Sequence, residues 1–483
     1  MTPAVGEAFA LKVKVLGPVH QIPSRCYAVT PSRRLGSQFN LAPSRGIQYL
    51  DNALPEWTGV LEVQAEGLAG RRRLHFTGKG QGVFPGDVRP IKTFGGFRWT
   101  HPGVRWIRLT DPASGATGLS NPVVVSPRKP RVRIWWGDPH SQTFFSDGVR
   151  CPEELYAFAR NEAFLDFFAV SDHAEPLTDR QWDYFVAVTN DSNDPGRFAT
   201  LVGFEWTNSA GGHRNVYYRG SSGPILRSSE RHCDTVPKLW KALAGRRALV
   251  VPHHPANARM GVPWRQCGWN PRYERLVEIM SVWGNSECPA EKGNPYPIRT
   301  LGGEKKGQHV QDALAMGFRM GFCGGGDIHD GRPGDELHVL QKNTPHYDQL
   351  SPQGLTAVLA PRLARAVLWD TMYNRLTYAT TKKRTYLSFA VNGKAMGSCV
   401  RPGKTGGAEM TVEVAASANL KEVTVVKNGR NWRRLMPEDD PRVLNASCSD
   451  NDPAPGSYYY VRAVTEDLDM AWSSPVWIDG RNR

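Results

Sequence analysis

No run of about 18 residues in this chain is free of charge, so the sequence offers no transmembrane helix. The N-terminus, MTPAVGEAFALKVKV, lacks a basic segment followed by an apolar one, and no signal peptide is expected. Cysteine is sparse, with eight residues and no CxxC pair or regular framework. Reduced thiols in a cytoplasmic protein are therefore the default, a bridge such as Cys399–Cys448 being the minority alternative. No Gly-x-Ser-x-Gly elbow, P-loop or dinucleotide fingerprint occurs in a strand-to-helix setting, so the sequence offers no motif for those chemistries. The formal charge is +14, yet basic residues cluster only briefly, at Arg71–Arg73 and Lys382–Arg384. A dedicated nucleic-acid binder concentrates such residues or interleaves them with aromatics, so a basic protein attracting small anionic substrates is the simpler expectation.

The residues that are present describe a folded protein. Of 483 residues, 40% are hydrophobic and 22% charged, and the length calls for two or three domains. The 36 prolines and 48 glycines mean many turns. Residues 1–128 show short alternating runs (ALKVKVLG, GVLEVQAEG, GVRWIRLTD, NPVVVS) between Gly/Pro turns, an all-β module of sandwich type. Residues 385–483 repeat that style, with Asn-Gly at 392–393 and 428–429 marking hairpins, and read as a second β-sandwich. In residues 129–384 apolar runs alternate with helical segments: RVRIWW, PEELYAFARNEA, LDFFAV, DRQWDYFVAV, ATLVGF, PKLWKALAG, ALVV, LVEIMSVW, KGQHVQDALAMG, RMGFC, SPQGLTAVLA and LARAVLWDTMYNR. That alternation implies a parallel sheet covered by helices, as a barrel or a doubly wound sheet.

The chemistry lies at the residues that end each strand. RVRIWW runs into Asp138-Pro139-His140-Ser141-Gln142, LDFFAV into Asp172-His173, and ATLVGF into Glu205 with His213 shortly after. ALVV runs into His253-His254-Pro255, and RMGFC into Gly324-Gly325-Gly326-Asp327-Ile328-His329. Six of the 13 histidines sit at these five junctions. In a parallel β/α fold the C-terminal strand ends share one face, so these residues become neighbours.

Each piece alone is bland, since an Asp-His pair after a strand is more often a turn or a cap; the conjunction carries the reading. Imidazole and carboxylate together suit Zn²⁺, Mn²⁺ or Fe²⁺, and the donors exceed the needs of one ion, giving two or three. Such ions activate water for hydrolysis. Phosphoester cleavage is the first expectation. Amidase, lactonase or other C–N or C–O hydrolysis is the alternative, with a non-catalytic binding scaffold behind both. Asp138, Asp172 or Glu205 is expected either to shuttle the proton or to orient ligating histidines, and Arg332 is either a plain loop arginine, the simpler expectation, or a group that neutralises an anionic substrate. Glu278, a charge inside an apolar strand, is either a structural ion-pair partner or a support for a ligand. Trp283, Asn285 and Glu287 are placed at the rim. Six tryptophans near strand ends (Trp135, Trp136, Trp206, Trp264, Trp269, Trp283) hint at an aromatic pocket. His232, His309, His338 and His346 lack context and are expected on the surface. The triple glycine lets backbone pass close to the ions.

The motifs Asp138-Pro-His140-Ser-Gln142, Asp147, Asp172-His173, Glu205, a later His-Pro and Asp327-Ile-His329 resemble the PHP (polymerase and histidinol phosphatase) superfamily of metal-dependent hydrolases. LDFFAVSDH, GHRNVYY, VEIMSVWGNSE and YATTKKRTYL resemble more closely a largely bacterial, PHP-related branch known as a domain of unknown function. The resemblance spans roughly residues 130 to 390. It implies a distorted (β/α)7 TIM-like barrel flanked by the β-sandwich-like modules, and up to three ions. It makes His140, Asp147, His173, Glu205, His254, Asp327 and His329 ligands, with His213 a further candidate. His254 is preferred to His253 because it directly precedes Pro255. One departure stands out: the superfamily's first motif reads His-x-His, whereas this chain has Gln142, a neutral amide and a poor Zn²⁺ ligand. The implied site then holds two ions firmly and a third weakly or not at all, with Gln142 alternatively bonding substrate or a metal-bound water. Oligomeric state is left open.

Overall fold

The computed structural model describes residues 2–17, 54, 57–78, 82, 88–337, 350–403 and 406–479, and the backbone strands Tyr27–Pro31 and Phe39–Pro43. It is a mixed α/β structure, rich in sheet and with few helices. His338 and His346 lie outside the described residues. No helix among the described residues is long and apolar enough to cross a membrane.

Before Pro152 the described chain forms strands and no helix. Ala8–Lys14 and Leu68–Ala69 flank Ile91–Trp99 in one sheet, while Gly59–Gln64 leads a second, four-stranded one. Alternate side chains of both sheets, among them Val13, Leu61, Leu74, Phe94, Phe97 and Trp99, meet in one apolar cluster, which is why the alternating pattern is readable in the sequence.

The expected helices form at Pro152–Asn161, Asp179–Asp191, Val236–Ala242, Val310–Ala315 and Arg365–Tyr373. Their starts follow capping chemistry. Pro152 opens the first, and Thr178 and Gln181 close a reciprocal box on the second, Gln181 Oε1 accepting the Thr178 N–H at 2.8 Å. The strands between them are apolar on both sides because both sides are covered. Phe167 and Ala169 point into one buried cluster, Phe168 and Val170 into another.

Strand direction departs from the expectation of one parallel sheet. Arg133–Asp138, Phe167–Phe168 and Ala199–Thr200 are parallel neighbours, as are Leu276–Ser281 and Gly321–Gly324. Val202–Trp206, Arg214–Tyr218 and Ala248–Pro252 run antiparallel, and the middle one is not among the expected strands. The linker 207–213 is too short for a crossover, which takes a dozen or more residues, so the chain must turn back on itself. Gly354–Ala360 is likewise antiparallel to Arg133–Asp138 and to Thr377–Thr381.

One ladder also crosses residue 384. Thr377–Thr381 pairs with Met470–Ser473, which pairs with Tyr458–Thr465, so an 11-stranded sheet joins the central strands to the C-terminal ones. The other C-terminal sheet, Tyr386–Val391 with Ala408–Ala415 and Val443–Asp450, packs Phe389, Val412 and Val414 into the core shared with Val423, Val425 and Val461. Cys399 and Cys448 are both free.

Candidate metal centre

Extensions of the ladders bring the strand ends side by side. Beyond Asp138, Ser141 O accepts from Ser171 N at 3.0 Å and Gln142 N donates to Ile328 O at 2.8 Å. Asp172 O accepts from Glu205 N at 2.9 Å, and Asp327 N donates to His140 O at 2.8 Å. The junction residues thus become neighbours through backbone pairing. Two of them, His254 (φ 32°) and Asp327 (φ 52°), adopt the left-handed conformation that side-chain-bearing residues avoid, a strain typical of functional sites.

Glu205 is the hub. Its carboxylate is wholly buried, with Oε1 2.6 Å from His213 Nδ1, 3.1 Å from His253 Nε2 and 3.2 Å from His173 Nδ1. Its Oε2 is 3.3 Å from His140 Nε2 and accepts from the Gln142 amide at 2.7 Å. His140 Nε2 also lies 3.3 Å from Asp327 Oδ1, and His253 Nδ1 3.6 Å from Asp327 Oδ2. Towards the surface, Asp147 meets His173 Nε2 at 3.5 Å and His329 Nε2 at 3.3 Å. These residues form four overlapping groups whose ligand atoms lie within 4.8 Å of one another: His213/His253/His254, His140/His253/Asp327, Asp147/His173/His329 and His173/Glu205/His213.

These donors fit divalent ions. Both His253 nitrogens and His213 Nδ1 face carboxylates at these distances without hydrogen-bond alignment, and His254 Nδ1 and Asp147 Oδ1 also lack a hydrogen bond. Buried polar atoms left in this state are costly, and a cation satisfies several at once. Burial, then the neighbouring His253 and His213, holds His254 well below the ordinary imidazole range; burial also lowers His213. Both are therefore neutral, the form that ligates. Burial opposes charge on His140 and His173, but the carboxylates of Asp327 and Glu278 for the first, and Glu205 and Asp147 for the second, outweigh it and raise both well above the usual value. Asp147, opposed by burial, is nonetheless held well below the carboxylate range by His329 and His173.

The expected site residues therefore separate. His140, Asp147, His173, Glu205, His213, His254, Asp327 and His329 come together, and so does His253, which faces Glu205 and Asp327 where His254 does not. Gln142 reaches the cluster as a hydrogen-bond donor to Glu205, with its Oε1 3.0 Å from the Ser146 hydroxyl.

Asp138 and Asp172, candidates either for proton shuttle or for orienting the ligands, accept hydrogen bonds from the turns that carry those ligands. Asp138 accepts from His140 N at 3.0 Å, Gly326 N at 2.7 Å and Gln353 Nε2 at 3.1 Å. Asp172 accepts from Thr143 N at 3.0 Å, Thr143 Oγ1 at 2.8 Å and Ser146 Oγ at 2.7 Å, pinning the turn that carries Gln142 and Asp147. Burial pushes Asp138 up to about 7 and Asp172 up to about 6. Arg332, expected to meet an anionic substrate, is fully buried, donates to the Asp335 carboxylate at 2.8 Å and lies over the Phe158 ring.

At the rim, Trp283 donates its indole N–H to Asp327 Oδ2 at 2.5 Å. Asn285 is buried, and Glu287 is bound instead to Tyr460, Arg462 and Trp472 of the C-terminal strands. The expected aromatic pocket does not assemble: Trp136, Trp206 and Trp264 belong to apolar cores, Trp135 donates to Ala360 O, and Trp269 stacks on Phe318. His232 is exposed, as expected, but His309 is buried against Glu304 and Asp312. Thr207, 2.5 Å from His173 Nδ1, and Gln353 escape the sequence reading, because an isolated Thr or Gln carries no signal of such a role.

Residues 153–293 match a family model described as a protein of unknown function (DUF3604). An uncharacterized protein of Chlamydia pneumoniae is 28% identical over 399 residues, covering 79% of this chain and 63% of the relative. One from Chlamydia trachomatis is 27% identical over 403 residues with the same coverage. The chain thus spans under two thirds of the length of these curated relatives. A crystal structure of a two-domain protein from Bacteroides vulgatus, described as containing a predicted PHP-like metal-dependent phosphoesterase, aligns at 13% identity and a TM-score of 0.37. That alignment covers 72% of this chain and 97% of the other.

Proposed function

We propose that this chain is a metal-dependent hydrolase whose reaction takes place over the cluster centred on Glu205. The observation that carries this reading is the convergence of His140, His173, His213, His253, Asp327 and Asp147 on shared ligand groups from five separate strand ends. In the same reading, the strands that bear them form a distorted β/α barrel of PHP type. His140, His253 and Asp327, with Glu205 between, would hold one divalent ion of Mn, Zn or Fe, and Asp147, His173 and His329 a second. Ions held there would supply an acidified water, with a pKa near about 7, and charge to stabilise a developing anion.

The chain's own residues set the frame for that chemistry. Glu205 and Asp327 supply negative charge in a buried pocket; Asp138 and Asp172 lock the turns carrying His140 and Asp147. The outer group, with side chains of Asp147 at 42%, His173 at 21% and His329 at 19% exposure, is the face a substrate meets. A phosphoester is the preferred substrate class, because the net charge of +14 draws anions to the surface.

Elemental analysis of wild type and Glu205→Ala tests the reading. Two ions or more per chain in wild type, lost in the variant together with phosphate release from a generic phosphoester, is the expected result. A protein holding less than about half an ion after reconstitution would remove the basis for catalysis. Metal retention with cleavage of amides or esters, and no phosphate release, would transfer the assignment to C–N or C–O bonds.

A further inference from the structure

Glu278 lies in Leu276–Ser281, a strand whose every residue is buried. A carboxylate there loses its hydration and must be held by something else. Its Oε2 stands 3.0 Å from His140 Nδ1, while Oε1 has no hydrogen-bond partner among the described residues. The opposite nitrogen of the same ring, Nε2, faces Glu205 Oε2 and Asp327 Oδ1, each at 3.3 Å. An imidazole that gives its Nδ1 proton to a carboxylate presents its Nε2 lone pair on the other side, fixed in rotation as well as in tautomer.

The strand alongside is shaped for this contact. Glu278 pairs in register with Cys323, and the chain continues into Gly325. A Cβ on Gly325 would stand 2.1 Å from Glu278 Oε2 and 2.8 Å from His140 Cβ. The absence of a side chain at 325 is thus what lets the carboxylate and the imidazole meet.

We propose that Glu278, seated against Gly325, is a positioning residue that sets the tautomer and aim of His140 towards the ion held with Asp327 and Glu205. This role rests on the metal-centre reading above. Glu278 is not assigned as a ligand itself, since its bound oxygen faces the edge of the ring remote from Nε2.

Zn²⁺ affinity of the purified chain, measured by competition with a chromophoric chelator, tests the assignment in four proteins. Glu278→Met keeps the volume and removes the acceptor, and weakens Zn²⁺ binding by about 10- to 100-fold. Glu278→Gln keeps an oxygen for the Nδ1 proton and restores affinity to within a few-fold of wild type. Gly325→Ala displaces an unaltered Glu278 and weakens binding in the same direction as Glu278→Met. Circular dichroism of the apo proteins establishes that each is folded. Wild-type affinity in Glu278→Met, or a Glu278→Gln as weak as Glu278→Met, would overturn the positioning role. Failure of wild type itself to bind Zn²⁺ would instead overturn the metal-centre reading.

Discussion

Replacing Glu287 with Ala should destabilise the fold by about 3 kcal/mol, although the residue takes no part in the proposed chemistry. Its carboxylate is 1% exposed and accepts from Tyr460 Oη at 2.5 Å, Trp472 Nε1 at 2.8 Å and Arg462 Nη1 at 3.0 Å. Removing one partner of a buried ion pair typically costs about 3–5 kcal/mol, because the other charge is left without compensation. Arg462 keeps Asn431 at 2.8 Å and Glu422 at 3.7 Å, which places the expected cost at the lower end. Tyr460 retains Gln311 at 2.9 Å, but the Trp472 N–H keeps no other hydrogen bond among those described. Glu287→Gln, which preserves shape and one acceptor oxygen, should cost less than Glu287→Ala. Urea unfolding followed by tryptophan fluorescence measures the difference, read from the shift in midpoint at unchanged slope. A loss below about 1 kcal/mol in both variants would refute the reasoning and show that Arg462 is compensated without this carboxylate.

Local geometry sets two further outcomes. Gly326→Ala would put a Cβ 2.4 Å from both Asp138 Oδ2 and Ile328 Cγ1; overpacking of this kind costs about 1–3 kcal/mol, to be read by thermal melting, and a melting temperature within error of wild type would count against the close approach. Asp370 accepts from Arg219 at 2.8 Å and from Arg247 at 2.8 Å, and the Arg219 hydrogen bond holds its carboxyl below the ordinary range. A depressed folded pKa stabilises above the unfolded value of about 4 and loses that contribution as the pH falls through the folded one. Asp370→Asn should therefore cost at most about 1 kcal/mol at pH 7, given the exposure of the trio, and progressively less as the pH is lowered below the ordinary carboxylate range. A cost that does not fall with pH would exclude an electrostatic origin.

Much of the centre was legible because its residues are placed by strand ends, and strand ends are legible. An apolar run followed by His, Asp or Glu is visible at each of the five junctions, and pairing beyond the strands does the rest. The pattern does not carry the direction in which a side chain turns. His253 and His254 both follow ALVV, yet only His253 faces Glu205 and Asp327. Glu287, placed at the rim, and Arg332, read as a loop residue or a substrate contact, are buried in ion pairs, one with Arg462 and the other with Asp335. Asp138 and Asp172 have the composition of catalytic acids but face N–H and O–H donors. The Arg214–Tyr218 strand could have been read from the brevity of the linker before it. The ladder between Thr377–Thr381 and Met470–Ser473 could not, since nothing local announces a partner so remote in sequence.

That ladder has a consequence for how the chain is made. The neighbour Gly354–Ala360 is already synthesised when Thr377–Thr381 emerges, but its other edge is completed by a strand made roughly ninety residues later, about 5 to 20 s of synthesis at common rates. During that interval the nascent chain presents a row of open amide and carbonyl groups, the kind of surface on which neighbouring polypeptides stick. Slowing translation between residues 381 and 470 would lengthen that exposure and lower the yield of native protein without altering a single side chain.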